Sequence, residues 1–595
     1  MKTTNTHPVT SPLLVAFLLS FCPLQAQINP KVEVQRDYEG RVLESTKPKL
    51  PFTVPDSIAK FNLTMDYAIF DKPYYDLYSF TPLPSVHLSV FENLKQPWAF
   101  IRIGMAPLAS PEADIFLQAP LSGKSALLLT ARHQSFWGKL PRYQHSGTTV
   151  ADQMQNSADV RYLLHWSKGR FEIGGAYDYN RYNYYGVSPD YSGYLESNKL
   201  SSRRFMRDSM SHAYHRYKAD ISLSSLENVQ EGAFWRIHFG WSRIEDQPRF
   251  WVRTNIPAIK ENLFFATLDA GTRFLTHHAA GLLVTGELSD MAGNPFNRAV
   301  FSLNPYYRLH IPRFHLTAGI HFSYLRAEPV VCGDSPSPFQ LSPKLSADYE
   351  LIPQNLWVYG DISGGARLNS YHSIVAENPW LTCFPNLQST MEPWNIQAGI
   401  KGKMATHFSY HLYGQYVKTK NQYYFTNTSF YLPAPYTQTY LLNLFDLRYE
   451  DGERMTAAAE LGLDSKPFIF NLTGKYNDYR LKSGAPPKYA PRFEFNFSAR
   501  YQWRERIIAA ATVGYKSSVL GHYFAPSLAT AAVIIPDQFP KINGYTDIGL
   551  TFEYRFASWF GFYGQIKNLL NVEKQYYLFY LEPGIRIGGG VTFRF

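Results

Sequence analysis

Few residue sets in this 595-residue chain could do chemistry, and most of them fail on spacing. Gly123-Lys124-Ser125 has the ending of a phosphate-binding loop, but Gln118 stands where the opening glycine belongs. Its surroundings read as a turn between two strands, whereas a phosphate cradle needs a strand, a glycine loop and a helix N-terminus. His277-His278 has no glutamate at zinc-protease spacing and reads as a turn. No Gly-x-Ser-x-Gly elbow occurs. His315, His321 and His411 fall on the polar side of alternating segments. Polar lining of a watery interior is their expected role, with a metal site as the alternative. The chain is accordingly expected to be no enzyme and to carry no cofactor.

The elements that would position these side chains are strands. Residues 584–595 alternate apolar with polar or glycine and end on phenylalanine: Ile585, Ile587, Val591, Phe593 and Phe595 point one way, Arg586, Thr592 and Arg594 the other. Successive strand side chains face opposite sides, so one face meets an apolar phase and the other water. The pattern recurs most clearly at Phe493, Phe495, Phe497, Ala499, Tyr501 and Trp503 against Arg492, Glu494, Asn496, Ser498, Arg500 and Gln502. Ile548, Leu550, Phe552, Tyr554 and Phe556 likewise alternate with Asp547, Gly549, Thr551, Glu553 and Arg555. Similar segments carry His315 and His321, and His411 with Gln415.

A soluble sheet could alternate in the same way, so the compartment decides. Lys2, the apolar stretch 13–21 and Leu24-Gln25-Ala26 form a signal-peptide layout over 1–26, with the mature chain starting near Gln27. The apolar stretch is about nine residues where a spanning helix needs about twenty. Cys22 would suit a lipoprotein cut, but Phe21 is a poor residue before a lipidated cysteine. Downstream, no run approaches a spanning helix, and an exported chain can still cross a membrane as a closed barrel. Aromatic residues reach 16% and charged ones only 18%, which favours aromatic girdles at two lipid interfaces over a secreted propeller or sandwich. The net charge of +10 is spread thinly. It suits anionic headgroups, including lipopolysaccharide, or a mildly anion-favouring lumen, and it offers no cluster for nucleic acid.

The expected fold is therefore all-β: a transmembrane antiparallel barrel of about 22 strands over 98–595 in the outer membrane of a diderm bacterium. Strands are expected near 98–106, 113–119, 125–136, 156–167, 170–184, 210–224, 233–245, 261–274, 277–289, 298–310, 313–326, 340–352, 355–365, 391–403, 405–418, 453–464, 467–480, 491–503, 506–517, 542–556, 559–570 and 584–595. With Phe595 on the periplasmic side, short and long links alternate consistently. The stretch 419–452 is expected to be a long outer loop with its own hairpin. Lumen lining is assigned to His315, His321, His411, Gln415, Arg492, Glu494, Arg500, Asp547, Glu553, Arg555, Arg586 and Arg594. Val591, Phe593 and Phe595 read as the signal taken up by the barrel-assembly machinery. Residues 27–97 are rich in proline, among them Pro30, Pro48, Pro51, Pro55, Pro73, Pro82 and Pro84, and lack a sustained period, so an extended segment in the periplasm or barrel mouth is expected there.

Asn568-Leu569-Leu570-Asn571, Gln575-Tyr576-Tyr577, Glu582-Pro583-Gly584 with Arg586, and the strand ending in Phe595 together resemble the closing strands of TonB-dependent receptors. Leu570 and Ile585 depart from that pattern. The run Val32-Glu33-Val34, Arg36-Asp37-Tyr38-Glu39-Gly40, Phe70-Asp71-Lys72-Pro73-Tyr74, Asn378-Pro379-Trp380 and Glu392-Pro393-Trp394 also resemble the plugless members of that group. The resemblance implies a transport barrel, but a complete plug does not fit in 27–97, so architecture carries over and energy-coupled import does not. Asp56-Ser57-Ile58 is similar to the short O-glycosylation sequon of some diderm bacteria.

Two functions remain open. One is a solute channel or receptor. The other is a structural barrel that anchors another outer-membrane component, with a periplasmic protein or lipoprotein as the candidate partner. A wide barrel left open would leak, so the lumen must be closed by the N-terminal segment, by folded-in loops or by a partner. Cys332 and Cys383 fall on outer links of adjacent hairpins and are expected to form a disulfide.

Overall fold

The computed structural model describes residues 98–107, 109–186, 202–225, 232–250, 256–292, 297–326, 338–382, 385–404, 407–428, 444–504, 506–522 and 539–595. Among them, 22 strands from Ala99–Ala106 to Arg586–Arg594 form one antiparallel sheet in which chain neighbours are hydrogen-bonded. The last strand returns to the first, with Phe100 opposite Arg594 and Met105 opposite Gly589. Phe595 N–H donates to the Ala99 carbonyl at 3.0 Å, and Ala99 N–H donates back at 3.3 Å. Closure leaves no unpaired edge, which is the condition for a sheet to stand in hydrocarbon.

Alternation sets the two faces. Ile103, Ile221, Phe301 and Phe552 stand about half exposed on the outer wall, while their neighbours Arg102, Asp220, Ser302 and Glu553 are buried inside. Trp98, Trp503, Phe556 and Trp559 are exposed near the ends of strands at one rim, an aromatic belt at the membrane boundary. Turns at that rim are tight: Ser122 to Ser125, Ile311 to Phe314 and Trp503 to Ile507. Arg313 at φ 69° and Arg504 at φ 45° take the left-handed conformation that lets a short reversal match strand twist. Long links collect at the opposite rim, the outer one.

Each expected strand segment holds an observed strand. The stretch 419–452 differs. The strands Phe408–Thr428 and Leu444–Ser465 run through it as one continuous pair, with Thr428 opposite Leu444 and a register shift between Thr419 and Gln422. Above the lipid no outward apolar face is required, so the alternation fades while the hydrogen-bond ladder continues. At the closing seam, a Cβ on Gly590 would collide with the Ile103 carbonyl oxygen, so glycine is needed where the last strand meets the first.

Candidate functional site

The described parts of several outer links do not stand away from the barrel. They fold over its mouth as a cap. One contiguous buried cluster joins Phe136, Leu140 and Val150 with Tyr182, Tyr184 and Tyr185, and continues through Tyr371, Ile374 and Trp380 to Phe425, Phe445, Tyr577 and Tyr580. These residues come from the third, fifth, fifteenth and sixteenth strands of the barrel and from the links between the third and fourth, the fifth and sixth, the thirteenth and fourteenth, and the twenty-first and last. The cluster therefore crosses the lumen.

The centre of the cap is the segment 368–382, which holds the short helix Tyr371–Glu377. Ser370 caps it, its side chain accepting from Ser373 N–H at 3.1 Å. Two buried polar anchors hold its N-terminal end. Tyr371 Oη donates to Asp246 Oδ2 at 2.6 Å, and Asp246 also lies 3.1 Å from His212 Nδ1. His212 is stacked between the rings of Tyr182 and Tyr184, at 5.5 and 5.2 Å. A histidine beside a carboxylate could serve catalysis, but here both are sealed under rings, and their work is to hold the tyrosine. In the second anchor, Arg298 lies 3.1 Å from Glu261 Oε1 and donates to the Asn369 carbonyl at 2.8 Å. Ser289 Oγ donates to the same Glu261 oxygen at 2.6 Å, and His372 N–H reaches the other at 3.4 Å. Removing one member of such a buried pair typically costs about 3–5 kcal/mol, because the other charge is stranded.

Aromatic contacts hold the other end. Trp380, 1% exposed, stacks on Tyr580 at 3.8 Å and meets Tyr577 and Tyr185 edge-on. Its indole N–H donates to the Asn183 carbonyl at 3.1 Å. Glu377 accepts twice: its carboxylate from Tyr423 Oη at 2.6 Å, its carbonyl from Tyr577 Oη at 3.0 Å. Burial raises the Tyr371 and Tyr580 phenols well above their ordinary range, with Asp246 adding to the effect on Tyr371. Both remain protonated, and Tyr371 remains a donor. Burial, assisted by Arg216, holds the His372 imidazole down at about 3, so it is neutral in the closed cap.

Against the wall built by the strands from Phe408–Thr428 to Tyr545–Arg555, the cap roofs a chamber of about 800 Å³. Glu377, Tyr489, Gln575, Tyr576 and Tyr577 come from the cap, and Thr473, Lys475, Tyr479, Glu494, Asn496, Lys516 and Asp547 from the wall. Rings and hydrogen-bonding groups predominate. The size lies within the ~300–1,000 Å³ of small-molecule sites.

The residues assigned to the lumen from sequence are distributed as follows. Glu494 and Asp547 line the chamber, with Lys516 at 4.0 Å from the first and Lys574 at 2.6 Å from the second. His411 sits between Tyr359 Oη at 2.6 Å and Glu460 at 3.2 Å, and Gln415 donates to Asn395 at 3.0 Å. His315 pairs with Asp348 at 2.8 Å and stacks on His310 at 3.8 Å. His321 is partly buried, and its Nε2 has no hydrogen-bond partner among the described residues. Arg594 and Arg555 both approach Glu553, at 2.6 and 3.5 Å. Arg500 is half-buried on the same face as Glu494, and Arg586 borders a crevice with Glu112, Gln134 and Lys567. Arg492 is different: it precedes the strand Phe493–Trp503, is exposed, and is held by its N–H to Ser517 Oγ at 3.1 Å. Phe593 packs on Phe560 at 5.4 Å and Phe595 on Trp98 at 6.1 Å. Val591 pairs with Ile103 at the seam. Among the described residues no group of three or more His, Cys, Asp or Glu is placed to hold a metal ion. Cys332, Cys383 and residues 27–97 lie outside the described residues.

Sequence reasoning missed the anchors Asp246, His212, Glu261 and Arg298, which sit at strand ends where nothing in the local pattern marks them. Trp380, Gln575 and Tyr577 did carry a signal, since their motifs stood out, but their joint position over the mouth did not follow from it.

No family model and no curated protein matches the chain. Solved structures do. The siderophore receptor PirA from Acinetobacter baumannii superposes with a TM-score of 0.62 at 10% identity, over 84% of this chain and 80% of that one. The FrpB iron transporter from Neisseria meningitidis gives 0.61 at 10% identity over 84% and 82%. The ferric-catecholate import receptor Fiu from E. coli gives 0.57 at 12% identity over 84% and 82%. At such identities the likeness establishes the fold: a closed 22-strand barrel of the TonB-dependent-receptor type. Its apolar outer wall belongs in the outer membrane of a Gram-negative bacterium.

Proposed function

We propose that this barrel is a transport protein, a solute channel or receptor without enzymatic activity, whose outer mouth is gated by the cap. The observation that carries the reading is the chamber beneath a folded-in roof, ligand-sized and lined by groups from both wall and roof. The similar solved structures named as receptors and transporters support it. No substrate is carried over from them at about 10% identity. Under this reading the anchors at Asp246 and Glu261 and the stack at Trp380 hold the gate shut, and an arriving solute competes for the bonds that Glu377 accepts. The test is planar-bilayer conductance of the purified protein. The wild type should be closed, and a variant with Tyr371→Phe and Trp380→Ala should show discrete openings. A loosened cap without openings, in a protein that still shows the heat-dependent band shift of an intact barrel, overturns the gate. Stoichiometric co-purification of an outer-membrane component would favour the anchoring role instead.

A further inference from the structure

We infer that the outer wall, away from the lumen, carries a docking site for the phosphorylated headgroup of lipopolysaccharide, built by Arg181, Arg207 and Arg249 where the wall leaves the hydrocarbon. Arg181 belongs to the strand Gly169–Asn183 and by alternation shares its face with the exposed Ile173 and Tyr177, opposite the cap residue Tyr182. Arg249 lies near the end of the strand Gly232–Phe250, on the face of the exposed Ile237 and Phe239 and opposite the buried Asp246. Between them runs the strand Met210–Ser225, and the short helix Arg203–Ser209 leads into it. Arg181 donates to the Arg207 carbonyl of that helix at 3.1 Å. Height on the wall follows from chain length. Arg181 stands twelve residues above Gly169 at the tight turn; at about 3.4 Å per residue and a tilt of about 40° that is roughly 30 Å, above an apolar band about 25 Å tall.

Too few carboxylates face these cations. Arg207 shares Asp208 with Arg204, at 2.8 and 3.9 Å, and Asp152 lies 3.2 Å from Arg203. Among the described residues, neither Arg181 nor Arg249 forms an ion pair. Arg207 and Arg249 both stand near enough to Arg181 for their charges to oppose its own, with Asp152 as the opposing carboxylate. Five arginines thus meet two aspartates, and an arriving anion relieves repulsion without displacing a partner. Guanidinium forks take phosphate through two parallel bonds. Register places Ala213 beside Arg181 and Gln247 beside Ala213, so Arg181 and Arg249 spring from points about 12 Å apart. A headgroup with a phosphate at each end of a sugar pair spans that distance, whereas a single phosphate serves one end. Two and four residues lower, toward the lipid, Tyr179 packs on His215 at 4.8 Å and Tyr177 on Tyr217 at 5.3 Å. Acyl chains can cover these rings. A free polyanion would use the cations and leave the rings bare; the two features together select an anion that is acylated.

Native mass spectrometry of the full-length, delipidated protein in neutral detergent tests this, with bisphosphorylated lipid A, monophosphoryl lipid A, phosphatidylglycerol and inorganic phosphate as probes. Lipid A should bind one to one, at least about tenfold more tightly than its monophosphoryl form or phosphatidylglycerol, and inorganic phosphate should not displace it. Arg181→Gln combined with Arg249→Gln should weaken lipid A about a hundredfold, about tenfold for each charge-assisted bond lost. Arg480→Gln, which removes an exposed cation at the outer end of the strand Phe468–Leu481, should leave binding unchanged. The heat-dependent band shift verifies the barrel of each variant. Equal binding of lipid A and its monophosphoryl form, a double variant that binds like wild type, or an equal loss in Arg480→Gln overturns the inference. Displacement by inorganic phosphate would show an anion site with no part for the lipid and overturns it as well. Where the double variant fails to insert, discrimination between the two lipid A forms by the wild type still decides.

Discussion

Replacing Trp380 with alanine should open the cap while leaving the barrel wall intact. The side chain is fully buried, stacks at 3.8 Å on Tyr580, touches Tyr577 and Tyr185, and gives its indole N–H to Asn183. Truncating a buried tryptophan typically costs about 3–5 kcal/mol through lost contact and the cavity left behind. The strand ladder does not include Trp380, so that cost falls on the cap's own opening equilibrium. At about 1.4 kcal/mol per decade, roughly 4 kcal/mol raises the open-to-closed ratio about a thousandfold. Hydrogen exchange resolved to the peptide reads this directly. The amides of Ile374 and Asn378 donate to the carbonyls of Ser370 and Ile374 within the cap helix, and their exchange should quicken by about that factor, less if opening is already frequent. Amides of the seam, such as those of Phe100 to Gly104, should not change. Unchanged exchange of Ile374 and Asn378 in correctly inserted protein, or quickening of cap and seam together, would refute the view that Trp380 holds a separate gate.

Three further outcomes follow from the same geometry. Phe495→Arg puts a cation on the lipid face, at about 2–4 kcal/mol near the midplane, whereas Asn496→Arg enters the chamber; quantitative blotting of outer membranes should show the first depleted and the second retained. His372, held neutral with its imidazole at about 3, takes up a proton more readily when the cap is open. Cap stability should thus be level above about pH 6.5 and fall as pH drops toward 3, by no more than about 2 kcal/mol at pH 5; intrinsic-rate-corrected exchange at Ile374 should show this, and His372→Gln should abolish it. A disulfide between Cys332 and Cys383 is proposed on the ground that the strands flanking both links are successive neighbours in the wall, from Phe314–Arg326 to Thr390–Met404; two reactive thiols in the unreduced, denatured mature protein would exclude it.

The barrel was legible in the sequence because membrane spanning imposes a local rule. Every spanning strand must show lipid an apolar side chain at each second position, so Phe493 to Trp503 and Ile548 to Phe556 announced their faces without reference to any partner. Parity of short and long links then ordered the strands, since antiparallel neighbours need only tight turns on one side. That rule ends at the membrane surface, and legibility ended with it. The pair Phe408–Thr428 and Leu444–Ser465 runs on past the lipid with no alternation to mark it. The cap is a matter of tertiary structure alone. Tyr371 and Asp246 are 125 residues apart, and Tyr577 and Glu377 are 200 apart; no spacing rule joins them, because what brings them together is the curvature of a closed wall that sets distant links around one mouth.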